Sequence, residues 1–294
     1  MKKTVAVLLA LALLRAAGLL PHGREMESLQ LITALAVDGD REVTATALTA
    51  VRAGEGEQPQ LFTGAGEDLA VACRALRESS ARRAYLGQTA QLLVGESCDL
   101  WETLAFVLDH RELRLDTLLY MVDGQAGAGL MASAEKVSAE SGGTDPRAVT
   151  VGQTLARLSA GDCQALPALA PGREGLSPDG WAVAGPHGVM GRLRGEAALG
   201  CELLAGVEME RVISLPGGAA QLLRTHWKVR GDTLYCILAA RPAQGDPRIE
   251  QLEEWGEAVF SAALAPGWDC WGLLPPGGDV SGLTVEVKGR WTGS

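Results

Sequence analysis

Three apolar runs separated by amphipathic helical stretches constrain this chain most. Leu29 to Asp38 (LQLITALAVD), Gln91 to Gly95 (QLLVG) and Asp116 to Asp123 (DTLLYMVD) read as strands. Between them, Glu67 to Glu78 places Leu69, Ala72, Cys73 and Leu76 on one helical face, and Asp99 to Asp109 is a second amphipathic helix. Ala126 to Glu140 reads as a helix of small residues. After the first run, Asp38-Gly39-Asp40 precedes Val43, Ala45, Ala47, Thr49 and Val51 at alternate positions, a hairpin signal with Gly39 expected at positive φ. Arg52 to Gln60 is polar and reads as loop. The order strand, strand, helix, strand, helix, strand, helix predicts an α/β layer with a mixed sheet.

A break is expected at Ser141 to Pro146, followed by a helix over Val151 to Ser159 and a loop-rich stretch from Gly161 to Asp179 containing Pro167, Pro171 and Pro178. Hairpins are predicted for Trp181 to Ala184 with Val189 to Leu193, and for Leu222 to Val229 with Thr233 to Ala240. Pro247 to Leu264 reads as a helix with Ile249, Leu252, Trp255, Val259 and Phe260 inward, and Pro near its start is favourable. Leu283 to Trp291 alternates as a final strand. At 294 residues, two domains are the ordinary expectation.

The N-terminus carries Lys2-Lys3, the apolar run Val5 to Leu14 and then Arg15. That is the profile of a secretory signal, since a spanning helix needs about 20 apolar residues. Retained, the segment Thr4 to Leu20 would form a marginal anchor with Arg15 reaching the interface. The chain has 26 Lys+Arg against 36 Asp+Glu, a formal net charge of −10, which argues against a basic nucleic-acid binder. The same acidity predicts no charge-driven adhesion to anionic lipid, leaving the N-terminus or a partner to provide membrane attachment. Cys73, Cys98, Cys163, Cys201, Cys236 and Cys270 are widely spaced, without a CxxC pair, and are expected to be buried free thiols.

Chemical motifs are thin. Asp109-His110-Arg111-Glu112 with Arg114 and Asp116 is the densest polar cluster, but HxE lacks HExxH spacing and a third ligand, so a solvated helix end and turn is the plainer reading. His187 belongs to a Gly-Pro turn, and His226, beside Trp227, is expected to be half-buried. Ser133 and Ser214 lack the GxSxG elbow. Gly124 to Gly129 has a GxxGxG shape without the Lys-Ser/Thr of a phosphate loop, and close helix-to-sheet packing explains it equally well. Trp255, Trp268 and Trp271 fit a sugar-binding surface or, more simply, a core. The reading is of a protein with no catalytic residues, no cofactor and no metal.

Several segments taken in order resemble the Ger(x)C family, the C-subunits of nutrient germinant receptors in endospore-forming bacteria. These are Arg24 to Leu29 with Ala34 to Asp38, Ala84 to Gln88 with Leu93 to Glu96, Phe106 to Arg114 with Val122 to Ala126, the Gly180 to Leu193 hairpin with Glu196 and Leu203 to Gly206, and the closing strand Leu283 to Gly293. Gln88 stands where the family usually has His. No Cys lies in Leu20 to Gly23, although members are typically anchored through a diacylated Cys just before the opening segment. The resemblance implies an α+β, multi-domain protein of mixed sheets with packed helices. It implies a signal or anchor over 1–21, a germination-protein region over 22–206 with two α/β subdomains broken near 141–150, and a shortened C-terminal α+β domain over 207–294. It further implies an exported, non-enzymatic receptor subunit at the outer face of the spore inner membrane. Its partners would be the membrane-embedded receptor subunits and the membrane through the N-terminal segment, with no nucleic acid. Asp109, Arg111, Glu112, Arg114 and Asp116 are the expected partner surface, their alternating charges suiting a polar rim. The alternative is an exported hydrolase or a carbohydrate- or small-molecule-binding protein using His110, Glu112 and the tryptophans.

Overall fold

A computed structural model describes residues 29–292 apart from 40–41, 50–58, 81, 111–112, 132–146, 173–174, 207–210 and 276–277. The signal or anchor segment, the Arg52 to Gln60 loop up to residue 58 and the Ser141 to Pro146 break lie outside the described residues. The α+β expectation is met by two mixed sheets.

The first sheet has nine strands: β1 (Leu29–Gly39), β2 (Val43–Thr49), β3 (Leu61–Gly66), β4 (Arg83–Tyr85), β5 (Gln91–Gly95), β6 (Leu118–Val122), β7 (Gln164–Gly172), β8 (Gly175–Gly185) and β9 (Gly188–Leu193). Their order is β3-β2-β1-β5-β6-β7-β8-β9, with β4 beside the start of β1. β1, β5, β6 and β7 run parallel, and the outer strands are antiparallel. Strands on either side of residues 141–150 thus share one sheet. Helices α1 (Leu69–Ser79), α2 (Leu100–His110) and α4 (Val151–Ser159) cover one face, where Leu76 and Leu104 meet Leu35, Leu92 and Met121. A helix α3, described over residues 126–131, covers the middle of the other face, where Ala126 and Leu130 meet Ala34, Ala36 and Leu93. Parallel strands covered twice become continuous apolar runs, because successive side chains alternate between two buried faces.

The helix starts are locally encoded. The Asp68 carboxylate accepts from Val71 N at 2.7 Å to cap α1. Thr150 and Gln153 form a reciprocal capping box at α4. The face predicted for α1, Leu69, Ala72, Cys73 and Leu76, is the one buried.

Three expectations are corrected. Gly39 sits in extended strand opposite Val43, without a positive φ, so the turn does not use it as a left-handed residue. Strand β3 was not foreseen: Gly64 and Gly66 weaken its pattern, yet both are where α1 lies so close that an added Cβ would strike helix atoms. The supposed loop from Gly161 to Asp179 instead holds β7 and the start of β8. Pro167 and Pro171 lie on either side of Ala168 and Leu169, the β7 residues paired with β6, so their missing N–H groups break no bond on that side.

The second sheet comprises β10 (Arg211–Leu215), β11 (Gly218–Arg230), β12 (Thr233–Gly245) and β13 (Thr284–Trp291), in that order. β11 and β12 form the predicted hairpin, extended at both ends, with Gly231 at φ 60° in the turn. β12 and β13 are parallel across helix α6 (Ile249–Leu264), which buries Leu252, Val259 and Phe260 on one face of the sheet. Helix α5 (Gly195–Leu204) joins the two halves. Its Ala198 and Cys201 pack with Trp181 and Leu193 of the first sheet, while Leu203 and Leu204 belong to the core of the second. A Cβ on Gly200 would strike the Val259 carbonyl of α6, so glycine lets the two helices touch.

Candidate functional site

Segments that carry the family resemblance meet at the carboxyl ends of β1, β5 and β6, where a phosphate or nucleotide would sit in many open α/β sheets. Here the chain supplies its own anion. Asp38, at the end of β1, accepts from Ala126 N at 2.6 Å and from Gly127 N at 2.7 Å, so its carboxylate fills the amino end of α3. Gly95 on β5 lies against Asp38 Oδ1, and an added Cβ on Gly127 would meet the Thr46 hydroxyl at 2.7 Å. The Gly124 to Gly129 stretch is therefore a packing device, its first N–H groups already bonded.

A web of charges rims this cluster. Arg192, with 12% of its side chain exposed, stands 3.6 Å from Glu96 and 3.9 Å from Asp123. Arg194 reaches Asp123 at 2.5 Å and Asp179 at 2.7 Å. These contacts tie the β8–β9 hairpin to the ends of β5 and β6. Partial burial by itself would push the Asp123 carboxyl up, but the guanidinium groups of Arg192 and Arg194 hold it below the ordinary carboxylate value. Hydrogen bonding to Asp179 raises Arg194 further above its already high value.

The predicted partner surface lies elsewhere, at the end of α2 and the turn into β6. Asp109, Arg114 and Asp116 are exposed there, while Arg111 and Glu112 lie outside the described residues. Arg114 grips Asp116 in a two-pronged pair, Nε to Oδ1 at 2.8 Å. Leu108 and Leu115, which sequence reasoning missed, are 50% and 52% exposed beside these charges. Buried Leu113 and the Thr117 hydroxyl, donating to Thr89 O at 3.0 Å, hold the turn to the body.

Among the described residues behind the hydrolase alternative, Trp271 packs with Trp255 against the second core and with Trp268 beside α5. His110 is exposed and stacks on Phe106, ring centroids 4.6 Å apart. Trp255 packs in the second core, and Trp268 lies over Gly191 of β9. His187 occupies an exposed turn, as expected; His226, expected half-buried, is exposed on an open sheet face. Cys73, Cys201, Cys236 and Cys270 are buried free thiols, whereas Cys98 and Cys163 are only partly covered. Burial pushes Cys73 up to about 11 and Cys236 up to about 12, keeping both protonated and poorly nucleophilic at neutral pH. A cavity of about 520 Å³ opens between α4, β7 and the Cys270-Trp271 loop, lined by Gln153, Arg157, Gln164 and Trp181. Arg157 is bonded there to the Cys270 carbonyl at 2.8 Å, and the buried Trp181 indole N–H has no partner among the described residues.

Residues 22–142 match the family model described as the spore germination protein N-terminal domain. That part of the chain is similar to this family. The Ger(x)C resemblance is borne out, and the matched span holds both the Asp38 cluster and the Asp109 to Asp116 turn. The matched span is followed by chain whose fold also has a counterpart. The crystal structure of the GerBC protein aligns over 88% of this chain and 97% of that chain, at 12% identity and a TM-score of 0.51. No curated protein matches the chain. Among the described residues, no helix is long and apolar enough to cross a membrane.

Proposed function

We propose that this spore germination protein is a non-catalytic subunit of a nutrient germinant receptor, acting through protein contacts at the outer face of the spore inner membrane. The single observation that supports this reading is the germination-protein domain over residues 22–142. The self-filled amino end of α3 agrees with it, because the position best suited to a ligand anion is occupied by Asp38. The N-terminal apolar segment would export the chain or hold it to the membrane without a lipidated cysteine. The partner surface is the α2 end and following turn, where Asp109, Arg114 and Asp116 ring the exposed Leu108 and Leu115. Arg111 and Glu112 would extend it. The same reading divides the chain near residue 206.

The test is recovery of membrane-embedded receptor subunits with a tagged chain from sporulating cells. Charge reversal at Arg111 and Arg114 is expected to lower recovery while leaving the melting temperature unchanged. Undiminished recovery would remove this surface from the proposal, and no recovery with the parent chain would remove the receptor reading itself. A second reading, small-molecule binding, is favoured by the cavity at Trp181, and titration calorimetry with amino acids and sugars separates it from a protein-only adaptor.

A further inference from the structure

Among the described residues, the second sheet has one face under α6 and the other uncovered. Strand register fixes what the open face carries. Along β11 it presents Arg224, His226, Lys228 and Arg230; along β12, Tyr235, Ile237, Ala239 and Arg241; along β13, Glu286, Lys288 and Arg290. Row by row, Lys228 lies beside Tyr235 and Glu286, His226 beside Ile237 and Lys288, and Arg224 beside Ala239 and Arg290. All these basic residues are exposed, and Ile237 in their midst is 46% exposed. Among the described residues, Arg224, Lys228, Arg230, Lys288 and Arg290 form no ion pair. Glu286 is the single carboxylate in these rows. A cationic field of this density in a chain of net charge −10 is a segregated charge.

We infer that this face docks on an anionic lipid surface, with the headgroup phosphates as counter-ions. Three observations favour a bilayer over an acidic protein. The face is an open pleated sheet, with side chains about 7 Å apart along each strand and about 5 Å apart across strands, spaced for a dense layer of headgroups. Lys228 and Lys288, of a residue type that protein interfaces deplete, flank an aliphatic and an aromatic side chain of the kind that settles at a membrane interface. On the opposite side of the layer, α6 exposes Glu250, Glu254 and Glu257, so repulsion from the same lipid would turn the open face inward. The inference stands apart from the receptor reading: vesicle binding can fail while receptor subunits are still recovered, and the reverse.

The test is cosedimentation of the full chain with phosphatidylcholine vesicles containing about one third phosphatidylglycerol, against phosphatidylcholine alone. The parent is expected to bind the anionic vesicles and to lose that binding in about 1 M salt, where the screening length falls to about 3 Å. Reversal of Lys228, Arg230, Lys288 and Arg290 to Glu should lower partitioning by more than about tenfold, and Lys288→Gln alone by about fivefold. The single variant, with its melting temperature checked, decides the matter if the fourfold one does not fold. Equal binding to both vesicle types, or parental binding by folded Lys288→Gln and Arg290→Gln chains, overturns the inference. Loss of receptor subunits from a variant that still binds vesicles also overturns it and assigns the face to an acidic protein.

Discussion

The two sheets bury their strands differently, and the difference is chemical as well as geometric. The middle of the first is covered on both faces, and charges gather at its rim, where Arg192 and Arg194 are matched by Glu96, Asp123 and Asp179. The second is covered once, and among the described residues Arg224, Lys228, Arg230, Lys288 and Arg290 on its open face form no ion pair. The doubly covered middle of the first sheet leaves little strand surface for polar side chains, so partners would be met at its outer strands, loops and helix ends. A singly covered sheet offers a whole face, and here that face is positive.

Substitutions can break or sharpen this contrast. The largest effect is expected for Leu93→Lys, which places an unpaired charge between β5 and α3 where Leu93 is 2% exposed; the loss should reach about 4 kcal/mol or more by urea denaturation. Retention of the parental midpoint would mean that this face is not sealed. Asp38→Ala removes two charge-assisted bonds at the amino end of α3 and should cost about 3 kcal/mol, read as faster amide exchange at Ala126 and Gly127 as well as a lower midpoint. Gly200→Ala pushes a methyl into the Val259 carbonyl and should cost about 1–3 kcal/mol. If it costs nothing, α5 and α6 are less intimately packed than described.

The rim should respond weakly to acid. Asp123 titrates lower in the folded chain than in the unfolded one, so its contribution is present above about pH 4 and is lost as pH falls through the folded value. With the Asp123 side chain 37% and the Arg194 side chain 50% exposed, that contribution is under about 1 kcal/mol. Arg194→Ala should flatten the acid limb of the stability profile by that amount, and an unchanged limb would place the effect elsewhere. Ile237→Lys, on the open face, should leave stability within about 0.5 kcal/mol of the parent, in contrast to Leu93→Lys.

Much of this contrast is written in the sequence. Continuous runs such as LITALAV and LLYMV belong to the doubly covered sheet, and alternating RTHWKVR and TVEVKGR to the singly covered one. The helix faces follow from local periodicity. What escaped was non-local. Net charge is a sum over the molecule and hides segregation, so an overall −10 argued against lipid adhesion while Lys228 and Lys288 converged on one face from positions 60 residues apart. Strands β3 and β7 were concealed by glycines and prolines whose tolerance depends on what lies beside them in space. The anion-like role of Asp38 spans 88 residues to Ala126, with no spacing signature to announce it. Of the partner surface, the charges were legible, but the exposure of Leu108 and Leu115 depends on how the turn leaves α2.

Helix α5 lends side chains to both cores within ten residues, so neither half can tilt without prying those side chains from the other. Loosening either core would therefore be felt in the packing of the other.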